Sequence, residues 1–257
     1  MRATLVIPTL DEEDSIGHVL ATFRAAAESA NRTLFADDPI EWELIVVDGR
    51  STDHTVERAS AEGARIVLEP RRGYGRAYRT GFAAATGEVI ATSDGDATYP
   101  VDTLPELVAQ LEREHLDFLT GNRLAYLAGR AMTTEHRVGN RILNLTLAFL
   151  YHRWVVRMPE RRLRDSQSGL WVFRRRLLDQ AHLTQDGMPM SEEIKIEALV
   201  RGFRVAEVPI HYGERWSDPK LSSWRDGWAN FRFLFAKRLR LRRELGDATH
   251  GRTTGVR

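Results

Sequence analysis

The stretch VIATSDGDATYP, residues 89–100, is a short apolar run followed by two aspartates with one glycine between them. The apolar run predicts a buried strand that ends close to Asp94 and Asp96. Carboxylates at positions i and i+2 of a tight turn can face one hard cation, because Mg²⁺ and Mn²⁺ prefer oxygen ligands. Gly95 lets such a turn bend without a side chain in the way. Since a D-x-D sequence is common by chance, its meaning depends on where the fold places it.

Strand and helix patterns alternate through the first half of the chain. Short apolar runs predict strands in TLVIP, WELIVVD, ARIVLE, EVIATSD and LDFLTG. Between them, helices are predicted over 11–30, 51–63, 75–86 and in VDTLPELVAQLEREH, with acids in the first turn of the first helix and Ser51 or Thr52 capping the second. This alternation predicts an α/β fold with a mostly parallel sheet flanked by helices.

Polar turns follow three of the predicted strands, at residues 8–12, 48–53 and 94–96. In sheets of this kind, ligands bind beyond the carboxyl ends of the strands. We therefore expect these turns to converge on one crevice. The alternative is that they are ordinary turn residues, which often follow strands.

The bulk composition narrows the class of protein. A net charge of +1 gives no overall field that favours nucleic acid, and the absence of cysteine excludes disulfides and thiolate metal sites. The apolar run at the N-terminus is too short for a signal peptide, and no stretch reaches the roughly 18 apolar residues that span a bilayer. We expect a cytoplasmic protein that is soluble or lies on a membrane surface.

The second half is richer in basic and aromatic residues. A long helix is predicted over 136–154, a strand over 202–212, an amphipathic basic helix over 221–245 and a disordered tail over 246–257. One face of the basic helix carries Trp224, Trp228, Phe231, Phe235 and Leu239, and the charge is carried by Arg225, Arg232, Lys237, Arg238 and Arg240. Such a stripe either packs on the core or lies in a bilayer surface, and its basic neighbours favour the second.

Further motifs occur in the order found in one enzyme family. They are VIPTLDEED, VVDGRSTDHT, RRGYGRAYRTGFAAATGEVI, SDGDATYP, DSQSGLWVFRR and EVPIHYGERWSDPKLSSW. Together they resemble the conserved segments of inverting glycosyltransferases of family 2, which have the GT-A fold. Within that family the chain is most similar to the polyprenyl- and dolichyl-phosphate glycosyltransferases, such as dolichyl-phosphate mannose synthase. The family fold implies a glycosyltransferase domain over residues 1–220.

The resemblance implies a role for each matching position. A nucleotide sugar would be bound by Pro8, Leu10, Glu12, Asp48, Asp94 and Lys220. A Mg²⁺ or Mn²⁺ ion would be held by Asp94, Asp96 and Thr98. The expected catalytic residues are Asp96, Arg123, Arg137 and Arg215, with Arg123 and Arg137 on the acceptor phosphate.

The implied reaction is metal-dependent transfer of a sugar to polyprenyl or dolichyl phosphate, with inversion at the anomeric carbon. The sequence variants GYG, DGD-x-TYP and DSQSG-x-W favour a UDP-hexose or UDP-HexNAc donor over GDP-mannose. Departures from the family pattern at Leu10, Asp11, Gly49 and Arg50 lie in the expected nucleotide pocket, so the base is not fixed by the resemblance.

Two alternatives keep the fold and change the function. One is transfer to a saccharide or small-molecule hydroxyl, which would need a carboxylate base, and Asp165, Glu192 or Glu193 could supply it. A phosphate acceptor needs no such base because it is already anionic near neutral pH. The other alternative is a non-catalytic partner that docks on a membrane. In the leading interpretation, residues 221–243 attach the protein peripherally to the cytoplasmic face of a membrane.

Overall fold

The computed structural model describes residues 1–127, 134–155, 163–216 and 223–250. The strands are β1 (Arg2–Thr9), β2 (Glu41–Asp48), β3 (Arg65–Leu68), β4 (Val89–Thr92), β5 (Phe118–Leu127), β6 (Trp171–Arg174) and β7 (Val205–Tyr212). The helices are α1 (Ile16–Thr33), α2 (Thr55–Ala61), α3 (Tyr74–Ala84), α4 (Leu104–Arg113), α5 (Thr134–Leu150), α6 (His152–Val155), α7 (Arg176–Gln180), α8 (Met190–Val200) and α9 (Ser223–His250).

The described strands form one sheet in the order β3-β2-β1-β4-β6-β5-β7. β6 is antiparallel to β4 and β5, and the other pairs are parallel. The predicted α/β fold with a mostly parallel sheet is confirmed. β1 lies between β2 and β4, with Thr9 opposite Asp48 and Val6 opposite Thr92. The carboxyl ends of these three strands therefore share one edge of the sheet.

Continuous apolar runs form the central strands because helices cover both faces of the sheet. Residues 3–7 of β1 are completely buried. On one face, α1 packs the residues that recur at helical spacing, and Phe23 among them has no exposed surface. On the other face, α3 and α8 pack against the same sheet. Truncating a buried aromatic such as Phe23 to alanine would cost ~3–5 kcal/mol of folding free energy.

The first two helices begin later than predicted. Asp11 has a φ of 50°, and α1 starts at Ile16 with no acid in its first turn. The acids that precede it instead bind the neighbouring turn: Asp11 Oδ1 accepts a hydrogen bond from the Thr52 backbone N–H at 2.7 Å. Ser51 is not a helix cap, since its N–H donates to Asp48 and its hydroxyl accepts from Asp11. The predicted acidic first turn and the predicted caps are therefore wrong, and α2 starts at Thr55.

The C-terminal half also differs from its prediction in detail. The long helix predicted over 136–154 ends at Leu150, and α6 follows. No strand was predicted at Trp171–Arg174, where β6 lies. α9 continues to His250, so residues 246–250 are helical rather than part of the predicted tail. Residues 251–257 lie outside the described part.

α9 packs one face against α5 and α8. Its buried residues are Asn230, Phe233, Leu234, Lys237 and Leu241. Lys237 was predicted among the residues that carry the charge beside the apolar stripe, but its side chain is buried. Its Nζ lies 3.2 Å from a Glu193 oxygen and 2.5 Å from a Glu197 oxygen, both on α8. The charge of Lys237 is buried because two buried carboxylates neutralise it.

Candidate active site

The turn that follows β4 carries Asp94 and Asp96 to the shared edge of the sheet. Gly95 is pressed against the end of β1, where a Cβ atom would lie 2.9 Å from Thr9 Cγ2. The Ser15 hydroxyl donates to the Gly95 carbonyl at 2.7 Å, and Ala97 has a φ of 62°. A side chain at position 95 would push the turn away from β1. The turn is therefore held in a conformation that β1 and the start of α1 both fix.

Asp94 is half-buried beside two tyrosines of α3. The hydroxyls of Tyr74 and Tyr78 each donate to Asp94 Oδ1 at 3.3 Å. Burial, followed by repulsion from Asp96, raises the pKa of Asp94 to about 7, although Arg215 opposes the shift. A positive charge placed between the two aspartates would relieve this repulsion.

Asp96 is almost completely buried and is bonded through both oxygens. The Thr98 hydroxyl and backbone N–H donate to Oδ1 at 2.6 and 3.1 Å, and Arg215 lies 2.7 Å from Oδ2. Burial lowers the pKa of Arg215, but the Asp96 carboxylate outweighs burial and the net pKa is raised. A guanidinium thus already neutralises Asp96, which shows that this end of the turn accommodates a cation.

The segment that carries Arg215 is attached to the Asp94–Asp96 turn at several points. The Gly213 N–H donates to the Thr98 carbonyl at 2.8 Å, and the Trp216 N–H donates to the Asp96 carbonyl at 3.4 Å. The Trp216 ring stacks on His18 of α1, with 4.9 Å between ring centroids. These contacts hold Arg215 over Asp96. The stacked pair was not predicted, because His18 and Trp216 are almost two hundred positions apart.

The aspartates fit a divalent cation in the chemistry of their donors. They offer hard oxygen atoms, and burial followed by repulsion from Asp96 raises the pKa of Asp94. Within the described residues, no group of three or more His, Cys, Asp or Glu side chains could hold a metal by itself. A Mg²⁺ or Mn²⁺ ion here would therefore need ligands from a bound diphosphate or water. The Thr98 hydroxyl donates to Asp96. In this structure Thr98 therefore orients the Asp96 carboxylate.

The residues expected at the nucleotide lie on the same edge, at the ends of β1 and β2. Asp48 is buried and accepts hydrogen bonds from the backbone N–H groups of Arg50 and Ser51 at 3.0 and 3.2 Å. The Glu12 N–H donates to the Thr55 hydroxyl at 2.7 Å, and its carboxylate accepts from Ser15 at 3.4 Å. Ser15 therefore links the Glu12 turn to the Gly95 carbonyl, and the predicted convergence of the three strand ends is observed.

Pro8 and Leu10 are half-buried at this edge. The N–H of Gly49 donates to the Thr9 carbonyl at 2.9 Å, and a Cβ atom at Gly49 would lie 3.6 Å from Leu10 Cδ1. The loops after β1 and β2 are thus in contact with each other. They form one continuous rim next to the Asp94–Asp96 turn.

Arg123 is buried and forms a bidentate ion pair. Its Nε and one terminal nitrogen each donate to Asp165 at 2.8 Å, and its guanidinium lies over the Tyr212 ring at 5.4 Å. Burial would raise the pKa of Asp165, but Arg123 and then Lys195 outweigh it and lower that pKa. The structure thus places Arg123 near the aspartates, with much of its hydrogen-bonding capacity already used by Asp165.

The roles of the two remaining predicted basic residues stay predictions. Arg137 lies exposed in the first turn of α5. Lys220 lies outside the described residues. The structure thus brings together Asp94, Asp96, Thr98 and Arg215, places Arg123 beside them and leaves the assignments of Arg137 and Lys220 as predictions.

We call residues 164–169 the Gly169 loop. Its sequence was recognised as part of a motif, but the only role predicted for it was that of a possible base at Asp165. A Cβ atom at Gly169 would lie 2.2 Å from the Tyr74 hydroxyl and 3.5 Å from Asp94 Oδ1. The Gly169 N–H donates to the Tyr99 hydroxyl at 2.7 Å. Glycine is required here because the backbone passes directly against the site. Only the glycine in the motif signalled this contact.

The carboxylates considered as bases are enclosed in the protein. Asp165, Glu192 and Glu193 are all without exposed surface. Glu193 accepts hydrogen bonds from the backbone N–H groups of Thr184 and Gln185 at 2.7 and 2.8 Å. Burial raises the pKa of Glu192 well above its usual range, although Lys195 and Gln167 oppose the shift. These three carboxylates therefore support the fold around the site.

Comparison with known proteins identifies the family. The sequence profile of "Glycosyl transferase family 2" matches residues 4–181. The low-salt glycan biosynthesis hexosyltransferase Agl6 of Haloferax volcanii is 34% identical over 234 residues, which are 90% of this chain and 52% of Agl6. This chain thus spans about half the length of Agl6. A dolichyl-phosphate hexose transferase of the same organism is 32% identical over 225 residues, covering 88% of this chain and 89% of that protein.

Among solved structures, glucosyl-3-phosphoglycerate synthase from Mycobacterium tuberculosis superimposes with a TM-score of 0.66 and 24% identity, covering 91% of this chain and 77% of that one. That crystal contains Mn²⁺, uridine diphosphate and glucosyl-3-phosphoglycerate. The likeness confirms the GT-A fold expected from the sequence. Together with the match to the family profile, it leads to one conclusion: the chain belongs to glycosyl transferase family 2 and is an enzyme of the glycosyltransferase class.

Proposed function

We propose that the protein transfers a sugar from a nucleotide sugar to polyprenyl or dolichyl phosphate, with inversion and with the help of Mg²⁺ or Mn²⁺. The observation that carries this proposal is the Asp94–Asp96 turn, fixed at the shared carboxyl edge with Arg215 on Asp96. Carboxylates and a guanidinium placed together suit a metal-bound diphosphate, which carries the charge that develops as the nucleotide leaves.

The acceptor follows from what surrounds the aspartates. A hydroxyl acceptor needs a base, and the three carboxylates considered for that role are buried and bonded within the fold. A phosphate monoester oxygen is already anionic near neutral pH, so it can attack without losing a proton to the protein. The curated relative named dolichyl-phosphate hexose transferase supports the same acceptor class.

In the proposed reaction, an acceptor phosphate oxygen forms a bond to the anomeric carbon while the bond from that carbon to the diphosphate oxygen breaks. Attack from the opposite face inverts the anomeric centre. Asp94 and Asp96 would hold the cation, whose chemistry is to stabilise the negative charge of the leaving nucleoside diphosphate. Arg215 would exchange its contact with Asp96 for the diphosphate, and Arg123 and Arg137 would orient the acceptor phosphate.

The donor is proposed to be a UDP-hexose or UDP-HexNAc. Pro8, Leu10, Glu12 and Asp48 would form the wall for base and ribose, with Lys220 near the phosphates. The fold neighbour crystallised with uridine diphosphate and Mn²⁺ is consistent with this donor class. A GDP-mannose donor remains the alternative to be tested in the same assay.

Attachment to a membrane surface is supported by the outer sides of α5 and α9. Trp228, Phe235 and Leu239 of α9 are 62%, 44% and 57% exposed, and Leu145 and Phe149 of α5 are 64% and 82% exposed. Three residues of the stripe predicted for α9 therefore face away from the core, whereas Phe231 is partly buried against the cluster between α5 and α9. The side chain of Trp224 lies outside the described part. We call these exposed apolar residues of α5 and α9 the outer face.

Arginines surround the outer face. Arg232, Arg242 and Arg243 of α9 and Arg141 of α5 are exposed. Aromatic and aliphatic side chains flanked by arginines suit the headgroup region of an anionic bilayer, where the phosphate of a polyprenyl lipid also lies. No helix of the described residues is long and apolar enough to cross a membrane. We propose peripheral attachment at the cytoplasmic face through the outer face.

The test is a transfer assay with purified protein, polyprenyl phosphate, Mn²⁺ and a panel of labelled UDP- and GDP-sugars. We expect label in the organic extract from one donor, lost with EDTA and in Asp96→Ala. Label in added saccharides, with none in the lipid, would replace this proposal by the hydroxyl-acceptor alternative. Wild-type biological activity unchanged in Asp96→Ala would favour the non-catalytic docking partner.

A further inference from the structure

The Gly169 loop lies between the aspartates of the site and the two helices that bear the outer face. On the site side, the Gly169 carbonyl accepts a hydrogen bond from the Thr92 hydroxyl at 2.8 Å, and Gly169 packs against Asp94. Lys195 Nζ donates to the Asp165 and Ser168 carbonyls at 2.7 and 3.0 Å. The loop is therefore in contact with the end of β4 and with α8 at the same time.

On its other side, the loop is bonded to α5 through one asparagine. Asn144 Oδ1 accepts a hydrogen bond from the Ser166 N–H at 2.8 Å, and Asn144 Nδ2 donates to the Arg164 carbonyl. Asn144 immediately precedes Leu145, which is 64% exposed on the outer face. One turn of α5 thus contacts the Gly169 loop through Asn144 and exposes Leu145 on the outer face.

α9 makes the equivalent connection through a second asparagine. Asn230 is buried, and its Nδ2 donates to Gln167 Oε1 at 2.9 Å. Gln167 Nε2 then donates to Glu192 Oε1 at 2.6 Å. Asn230 lies in the helical turn between Trp228 and Phe231, which stack on each other. Each helix of the outer face therefore holds the loop with one asparagine.

The bonds that join Asn230, Gln167 and Glu192 are buried, so water does not compete for them. Asn144 is partly exposed, but it holds two backbone groups of the loop at once. A small rotation or shift of α5 or α9 on a bilayer would move the asparagine amide with it. The loop backbone would follow, and Gly169 leaves no side-chain atoms to absorb the movement before it reaches Asp94.

We propose that Asn144 and Asn230 are positioning residues that couple the seating of α5 and α9 on a lipid surface to the Gly169 loop and so to the donor site. The inference rests on the proposed function, since it requires a nucleotide ligand and a membrane. Its consequence is reciprocal: lipid binding changes the affinity for the nucleoside diphosphate, and the nucleotide changes the affinity for lipid by the same factor.

The experiment measures the binding of labelled UDP by full-length protein with Mn²⁺, with and without vesicles of phosphatidylcholine and phosphatidylglycerol in equal parts. We expect vesicles to shift the UDP dissociation constant of the wild type by at least about fivefold. Asn144→Ala and Asn230→Ala should each reduce the shift, and the double variant should abolish it, while vesicle flotation stays as in the wild type.

Asn31 offers a matched control. Its side chain also bonds a backbone carbonyl and a backbone N–H, both of Ile40 at 2.9 Å, but it lies on α1. Asn31→Ala should keep the full vesicle effect, so a loss that comes only from general destabilisation is separated from coupling. If the alanine variants do not fold, Asn144→Asp and Asn230→Ser provide smaller changes at the same bonds.

The outcomes distinguish the two proposals. Absence of UDP binding, or absence of vesicle binding by the wild type, contradicts the proposed function and the coupling with it. UDP and vesicle binding that do not influence each other contradict the coupling alone. A vesicle effect that persists at full size in the double variant contradicts the assignment of Asn144 and Asn230.

Discussion

The Asp94–Asp96 turn and the outer face of α5 and α9 depart from the usual distribution of side chains in opposite directions. The turn places carboxylates in a mostly buried position, where the pKa of Asp94 rises to about 7. The outer face leaves Phe149 82% and Trp228 62% exposed to water. Both arrangements cost free energy in the isolated protein. A ligand would relieve each cost: a cation with a diphosphate at the turn, and a lipid surface at the outer face.

The difference between the two regions also concerns rigidity. The turn is attached to β1, α1 and the segment around Arg215, whereas the residues of the outer face rest on helices packed around a small separate cluster. The proposed chemistry thus lies on the sheet, and the proposed membrane contact lies on helices that adjoin it. The predictions below remove one of these features at a time.

The largest expected effect is at Asp96. Asp96→Asn keeps the shape but removes the charge that Arg215 neutralises, and we expect sugar transfer to fall about 100- to 1,000-fold. The label in the organic extract measures this loss. Asp102 is an exposed carboxylate after the same turn, and Asp102→Asn is the control. This variant should transfer sugar at the wild-type rate. An equal loss of sugar transfer in both variants would show that Asp96 has no special role.

The next largest effect concerns the outer face. Phe149→Ser combined with Phe235→Ser removes two exposed rings, and we expect vesicle affinity to fall roughly 150-fold, because each phenylalanine contributes about 1.5 kcal/mol at the low end of the range for burial. Flotation with anionic vesicles measures the change. Leu34→Ser removes an apolar side chain after α1 that is 51% exposed, and it should leave flotation unchanged. Unaltered flotation of the double variant would show that the membrane contact lies elsewhere.

A pH effect is expected from Lys195, whose pKa burial lowers to about 8, although Asp165 opposes the shift. Because the folded pKa lies below the unfolded value, the folded protein binds fewer protons between about pH 8 and pH 10, and its free energy of unfolding rises across that window. Lys195→Met lacks this slope. From pH 7 to pH 10, we expect the free energy of unfolding of the wild type to rise, relative to that of the variant, by on the order of 2 kcal/mol.

Urea unfolding followed by circular dichroism measures this difference. A stability difference that stays constant between pH 7 and pH 10 would contradict the burial of a charged amine under the Gly169 loop. The comparison uses the difference between the two proteins, so the titration of groups that do not interact with Lys195 cancels.

The smallest effect is at Thr98. Thr98→Val keeps the shape but removes the hydrogen bond of 2.6 Å that orients Asp96, and we expect Mn²⁺ affinity in the presence of UDP to fall about fivefold, corresponding to about 1 kcal/mol. Electron paramagnetic resonance of free Mn²⁺ measures it. Thr33→Val, which loses a hydroxyl bond to the Ser29 carbonyl, should bind Mn²⁺ like the wild type. A loss far larger than fivefold would instead point to Thr98 as a direct ligand.

The parts of this fold that depend on local pattern could be predicted from the sequence. Alternating apolar strands and helices predicted the mostly parallel sheet, and the polar turns marked the edge on which Asp48 and Asp94 both lie. Strand β6 was missed because three apolar residues and one arginine inside a motif carry no periodicity of their own. The start of α1 was missed because side chains of a turn distant in the sequence bind the acids that precede it.

Contacts between side chains that are distant in the sequence could not be predicted from sequence patterns. The Arg123–Asp165 ion pair joins residues 42 positions apart, and it changes Arg123 from an open cation to a largely bonded one. Helical spacing revealed the apolar stripe of α9 but not which side would face the protein. That choice depends on Glu193 and Glu197 of α8, which attract Lys237 to the inner side and so turn Trp228 outward.

The most direct test of the central claim compares two acceptors that differ only in their phosphate. Polyprenyl phosphate and the corresponding polyprenol are placed in identical anionic vesicles with Mn²⁺ and the active labelled donor, and the label in the organic extract is counted for each. The account predicts label on the phosphate alone, because the site offers cations for an anionic nucleophile and encloses the carboxylates that could activate a hydroxyl. Equal or greater labelling of the polyprenol would contradict it.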